Sequence, residues 1–183
     1  MLEDLNKVIA VLQYLKLKPD IGVYEWRFLM QKIASLSKDL GIPIGYVFTI
    51  YVKGPYSPEL ACDYYRNVDA VTSLKTDYKL SPNDIAVVER VKDVVIGESH
   101  GTSKVRPPVG QFLESVSTAV HLMAPASLVR EDEVFSKMKE LKPYLSDYLV
   151  VVGINKAKEL LFKAEYLTHE LAKEIDEWER IDG

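Results

Sequence analysis

The chain has 183 residues, 48% hydrophobic and 27% charged, with a formal net charge of -4. That composition suits a globular protein with one sizeable core, and it argues against a surface that is basic all round, though a local basic patch survives the objection. One cysteine, Cys62, excludes an intramolecular disulfide, and the longest strongly apolar run, Tyr148 to Ile154, falls far short of the roughly 20 residues of a membrane span.

The first segment carries Glu3 and Asp4 ahead of its apolar stripe, without the cationic-then-apolar order of a secretion signal, so a cytoplasmic location is expected. Leu2, Leu5, Val8, Ile9, Leu12 and Leu15 recur at three- and four-residue steps and predict a helix, punctuated by Pro19, Asp20 and Gly22. A second stripe runs through Trp26, Leu29, Met30, Ile33, Leu36 and Leu40, with Gly41 placed as a C-terminal cap. Both helices must bury a face, and an antiparallel pair is expected. Lys32 belongs at the edge of this stripe with its stem buried, the plainer reading being a solvated lysine.

Between Gly41 and Ser57 lies the aromatic and β-branched run Tyr46 to Val52, which fits either a short strand or a buried helical turn. Ser57-Pro58 then reads as an N-cap and first helical position, followed by a face of Leu60, Ala61, Tyr64, Tyr65 and Val68. Ser81-Pro82 repeats the signal and opens a helix bearing Ile85, Val88, Val91 and Val95. The polar stretch 97–106 is the best loop candidate. Beyond Pro107 and Pro108 come the stripe Val109, Phe112, Leu113, Val116, Val120 and Met123, and then a short helix from Ser127 with Val134, Met138 and Leu141. From Tyr144 onward one long helix is expected, with Gly153 as a point of interruption. Acidic residues outnumber basic ones only in the last third, which suggests a helical domain over 1–126 and a C-terminal arm over 127–183 docked on the same core.

The segment Arg27 to Ile33, followed by Tyr51-Val-Lys-Gly-Pro-Tyr-Ser-Pro-Glu-Leu60, resembles the YwgA-like family of bacterial and archaeal proteins and, more distantly, the Panacea antitoxin domain. Gln31, Lys32, Tyr51, Gly54, Pro55, Tyr56, Ser57, Glu59 and Leu60 fall on the family's pattern, whereas Ser35 stands where the family usually has an aromatic residue. The resemblance covers roughly residues 1–75 and implies a small, mainly helical, non-enzymatic domain from a toxin-antitoxin or regulatory setting. Read as residues alone, the box is a hinge, in which Gly54 permits a positive φ, Pro55 stiffens the turn, Ser57 caps a helix, and Tyr51 and Tyr56 bury their rings; the other reading makes Gln31, Lys32, Tyr51 and Gly54 to Glu59 the surface that binds a partner.

Chemical motifs are sparse. Gly97-Glu98-Ser99-His100-Gly101 fits the spacing of a nucleophile elbow, but a helical stripe precedes it where a strand is required, so a polar loop is expected. His100, His121 and His169 are scattered, giving no metal-ligand spacing, and neither a phosphate-binding loop nor a dinucleotide fingerprint is present. His121 beside Val120 and Met123 reads as a core histidine with a partner. A nucleic-acid surface would use Lys75, Lys79, Lys104 and Arg106, yet the stretch between the second and third helices is too long for a helix-turn-helix. In the C-terminal segment Ala157, Leu161, Ala164, Thr168, Leu171, Ile175 and Trp178 make a heptad-like seam, with Leu160 and Leu167 widening it toward the protein's own core.

The sequence therefore predicts a mainly α, multi-helix domain with at most one short strand or hairpin and a long C-terminal helix. The expected function is a non-enzymatic protein-binding module without cofactor or metal. Its partner is a toxin, or a second copy through the C-terminal helix; a DNA-binding regulator with a winged-helix-like unit is the alternative.

Overall fold

The structure, a computed structural model, describes residues 2–96, 109–125 and 130–162. Within them the order is α1 (Leu2–Tyr14), α2 (Tyr24–Asp39), β1 (Thr49–Tyr51), β2 (Gly54–Tyr56), α3 (Pro58–Arg66), α4 (Val68–Thr72), α5 (Pro82–Val95), α6 (Val109–Met123), α7 (Glu131–Leu141) and α8 (Asp147–Leu161). The fold is mainly helical with one two-stranded antiparallel hairpin. No helix among the described residues is long and apolar enough to cross a membrane.

Two helices occupy the middle. In α6 every residue from Leu113 to Val120 is buried, including Glu114, Ser115, Ser117 and Thr118, and in α2 every residue from Met30 to Ser37 is buried. A helix enclosed on all sides cannot be amphipathic in the ordinary way, and its polar residues must find partners inside the protein. The main neighbours of α2 are α6, β2 and α5, so the expected pairing of α1 with α2 is the lesser part of its packing. The stripe shifts accordingly: Trp26 and Leu29 are only half-buried while Gln31, Lys32 and Ser35 go inside. Residues of α7 and α8, among them Val134, Met138, Val150 and Ala157, join the same core as α1 and α2.

The run Tyr46 to Val52 resolves as extended backbone as far as Tyr51, with Val52 in the turn that follows. From Ile42 to Phe48 burial alternates residue by residue, the period of a strand, although none of the strands among the described residues pairs with this segment. Side chains supply the missing hydrogen bonds: Lys7 Nζ donates to the Pro43 carbonyl at 2.8 Å, the Gly45 amide donates to Asp4 at 2.8 Å, and Lys38 donates to the Tyr46 carbonyl. Backbone groups removed from water need partners of some kind, and here α1 and α2 provide them. Tyr51 pairs with Gly54 across the two-residue loop Val52-Lys53, and Gly54 takes a φ of +86° that L side chains rarely adopt.

Several local signals hold. Ser57 Oγ accepts from the Leu60 amide at 3.3 Å with Pro58 opening α3, Ser81 and Asp84 form a reciprocal capping box on α5, and Gly41 (φ +121°) follows the end of α2. Others are displaced. α3 stops at Asn67, so Val68 starts the separate turn α4, and Tyr65 is exposed. The buried face of α5 is Val87, Val88, Val91 and Val94, leaving Ile85 and Val95 half-buried. α7 begins at Glu131 after an uncapped Arg130, and Ser127 lies outside the described residues.

α8 begins at Asp147, capped by Ser146, and so excludes Tyr144. It runs without interruption through Gly153, which serves as the point of closest approach to α6. A Cβ there would lie 2.1 Å from Ser115 Oγ and 3.0 Å from the Ser115 carbonyl carbon, while that hydroxyl donates to the Leu149 carbonyl at 2.7 Å. Ala157, the start of the predicted seam, and Leu160, which widens it, are buried in the core, Leu161 is half-buried, and the seam positions beyond Phe162 lie outside the described residues.

Gly153→Ala gains about 1 kcal/mol of helix propensity but forces overlap with the Ser115 side chain, whose Cβ cannot swing away, a cost of about 1–3 kcal/mol, toward the upper end at a contact this short. The expected result is net destabilisation, read as a fall in Tm of about 3 °C. An unchanged or raised Tm would show that α6 and α8 separate freely.

Candidate functional site

The predicted box is brought together, and the agents are side chains of α2. Gln31 reads the backbone of Ser57 as a neighbouring strand would: its Nε2 donates to the Ser57 carbonyl at 3.0 Å and its Oε1 accepts from the Ser57 amide at 2.9 Å. Two residues back along the box, the Pro55 carbonyl accepts from Lys32 Nζ at 2.7 Å. Gly54 fits against both α2 and α6, since a Cβ on it would lie 3.2 Å from Lys32 Nζ and 2.9 Å from Thr118 Oγ1. Lys32 is 2% exposed, which replaces the expected edge position with full burial. Glu59 projects to solvent from the first turn of α3.

Four residues that are not among the predicted site residues complete the arrangement. Glu114 of α6 and Lys142, in the connection between α7 and α8, are each about 1% exposed, with Nζ and carboxylate 3.7 Å apart. Lys142 also donates to the Val52 carbonyl at 2.6 Å and to that of Tyr51, so the hairpin tip is pinned from the connection between α7 and α8 as well as from α2. The Tyr144 hydroxyl lies within hydrogen-bond reach of the Val52 carbonyl (2.7 Å) and of the Glu114 carboxylate, and its single proton serves one of them at a time. Lys53, at the hairpin tip, stands 3.9 Å from Glu114 and 4.6 Å over the Tyr144 ring.

Burial sets the electrostatics. Desolvation pushes the Lys32 ammonium down from 10.5 to about 7; nearby Glu114 opposes that shift and Lys142 adds to it. Lys142 is lowered too, by burial first, with Glu114 opposing. Burial and then the Glu114 contact push the Tyr144 hydroxyl well above its usual range. Three lysines thus converge on one buried carboxylate, leaving a surplus of positive charge.

Above this floor opens a cleft of about 480 Å³ between α2, the hairpin and α3. Its walls are aromatic. Tyr24 and Phe28 stack at 6.4 Å between centroids, Tyr51 and Tyr56 at 5.8 Å, and Tyr64 and Tyr65 at 5.0 Å. Arg27 lines it 6.0 Å over the Tyr24 ring, with its guanidinium tied to the Ile21 carbonyl at 2.7 Å, and Lys32 sits 5.1 Å from the Phe28 centroid. The expectation that Tyr51 buries its ring is corrected: it is 65% exposed, because its carbonyl and not its ring is what the core holds.

The remaining sequence candidates are elsewhere. Lys75 and Lys79 are exposed on the segment between α4 and α5, while Lys104, Arg106, His100, His169 and the 97–101 motif lie outside the described residues. His121 Nδ1 meets Asp39 at 2.9 Å, the partnered histidine that its apolar surroundings suggested. Among the described residues no cluster of histidine, cysteine or carboxylate side chains could hold a metal ion.

No family model, curated protein or solved structure matches the chain.

Two predictions follow from the buried charges. Between pH 7 and 10.5 the unfolded chain carries the Lys32 proton that the folded protein has released, so this group makes stability rise with pH across that window, by at most about 1.4 kcal/mol per unit, and the contribution is lost as pH falls through about 7. Urea unfolding of the native protein and of Lys32→Met at pH 7 and pH 9 should show the native protein gaining on the variant at the higher pH; parallel behaviour would mean a solvated, charged lysine. Glu114→Gln removes the counter-charge of Lys142 and should cost about 3 kcal/mol at pH 7. A loss under about 1 kcal/mol would show that the hairpin carbonyls alone suffice.

Proposed function

We propose that the chain is a non-enzymatic, cytoplasmic protein-binding module with the antitoxin-like regulatory role its Gly-Pro-Tyr-Ser box resembles, and that its partner docks on the rim of the aromatic cleft. The observation that carries this reading is the apolar surface left open at the hairpin tip. Tyr51 and Val52 are each more than 60% exposed, and Tyr24, Tyr65 and Tyr144 stand partly exposed around them. A monomeric surface rarely keeps large apolar groups gathered in this way, and tyrosine with arginine is the composition of binding hot spots.

Rigidity supports the same reading. Carbonyls of the hairpin are held by Lys32 and Lys142, so its tip loses little freedom on association and the rings are presented in fixed positions. Lys53 and Arg27 favour an acidic patch on the partner, a preference that acts mainly on the rate of encounter.

Affinity capture from host extract, with and without nuclease, tests the proposal. The native protein should retain a stoichiometric protein partner after nuclease treatment. Tyr51→Ala combined with Tyr65→Ala should weaken that capture at least tenfold while moving stability by no more than about 1 kcal/mol, because both rings are more than half exposed. Lys18→Glu, on the exposed turn after α1, should retain the partner. Capture lost with nuclease would instead favour duplex binding, and capture unaffected by the double variant would place the interface elsewhere.

A further inference from the structure

The floor of the cleft holds an imbalance that the hairpin latch does not need. Lys142 spends its donors on two carbonyls and faces the Glu114 carboxylate. Lys32 is buried as deeply, yet it has one hydrogen bond, to Pro55, and among the described residues no carboxylate within ion-pair distance. The titratable and charged groups around it come from every neighbouring element: Arg27 on α2, Lys53 on the hairpin, Glu114 on α6, Lys142 and Tyr144 after α7, and Tyr64 on α3. Glu114 is the carboxylate of this group and is already shared by Lys142, Lys53 and Tyr144; Glu25 lines the neighbouring depression beside Lys53. The lining of the cleft itself contains Arg27, Lys32 and Lys53 and neither aspartate nor glutamate.

A buried cation without a counter-charge is costly, and an anion brought to it in a water-poor site is held more strongly than at the surface. The cleft volume, about 480 Å³, lies within the roughly 300–1,000 Å³ of small-molecule sites, and six of its lining residues are aromatic. We infer that this cleft is a binding site for a small aromatic carboxylate, its ring held between the tyrosine and phenylalanine walls and its carboxylate against the Lys32 ammonium at the floor. The inference goes beyond the partner-docking reading and does not depend on it: the two share the rings of Tyr24, Tyr51 and Tyr65, but the ligand also needs the Lys32 ammonium at the floor, which a partner on the rim does not, so either can fail alone.

Binding is linked to protonation. The carboxylate favours the charged lysine, so the complex holds its proton to a higher pH than the free protein does. Affinity is therefore level below pH 7 and falls above it, by up to about tenfold per pH unit, until the lysine of the complex itself titrates.

The test is calorimetric titration of the full chain with indole-3-acetate as probe. At pH 6.5 a Kd on the order of 0.1 mM is expected for a ligand of this size. Indole-3-acetamide, of the same shape without the charge, should bind at least tenfold more weakly, and acetate, with the charge but no ring, should not bind measurably at 10-fold higher concentration. Lys32→Met should abolish the preference for the acid over the amide. Should that variant not fold, the pH profile of the native protein carries the same information, falling between pH 7 and pH 9. Equal binding of acid and amide, binding of acetate as tight as that of indole-3-acetate, or an affinity independent of pH across this range overturns the inference; so does no binding of indole-3-acetate at millimolar concentration.

Discussion

Two ammonium groups taken out of water and turned onto the carbonyls of a short hairpin are the constraint on which the site depends. A hairpin with three residues in each strand has too few ladder bonds to stand alone. Lys32 reaches it from α2 and Lys142 from beyond α7, and Gln31 continues the job at Ser57, where it matches both an amide and a carbonyl. Remove the hairpin and Lys32 loses its one hydrogen bond while Lys142 keeps only Glu114; remove the lysines and the hairpin carbonyls lose their partners. The conformation of one and the burial of the other are thus a single structural decision.

The same device recurs along the chain. From Ile42 to Phe48 an extended segment alternates inside and outside, unpaired with any strand among the described residues, and Lys7, Asp4 and Lys38 provide hydrogen bonds to it. Helical proteins rarely have sheet to offer an extended segment, so long side chains from α1 and α2 take that role. Such an arrangement is a poor way to gain stability, because a buried ion pair roughly balances its own desolvation and an apolar replacement of similar volume is often better. What it does supply is a fixed backbone carrying outward-facing rings over a positively charged floor.

How much of this is legible in the sequence depends on how local the cause is. Ser57-Pro58, Ser81-Pro82, Gly41 and Gly54 announce themselves, since a cap or a positive φ is decided by the few residues around it. The site is not local. Lys142 is one of many lysines, flanked by Leu141 and Pro143, and nothing within its own turn of chain says that its head is buried. Glu114 did carry a signal: it lies in a stretch from Leu113 to Val120 whose other residues are apolar or small on every side, the pattern of a central helix, and a carboxylate on such a helix must find a buried partner. Gly153 reads ambiguously for a related reason. A glycine inside an apolar helix is either a break or a place where another helix presses close, and only the presence of Ser115 on α6 decides for the second.

Lys32 and Lys142 share a role in the latch but not a state. Both lose water, both grip the hairpin from one side, and both lie near Glu114, yet the carboxylate lies nearest Lys142. That choice follows from position: Lys142 enters between the hairpin tip and α6, where Glu114 faces it, whereas Lys32 enters beneath Pro55 and looks toward the aromatic cleft. An inverse arrangement, with Glu114 spent on Lys32, would leave the surplus charge sealed between α6 and the hairpin, where nothing from outside could meet it. The observed one places the surplus next to an opening, and a charge that the fold leaves uncompensated beside an opening is where binding energy is available to a ligand.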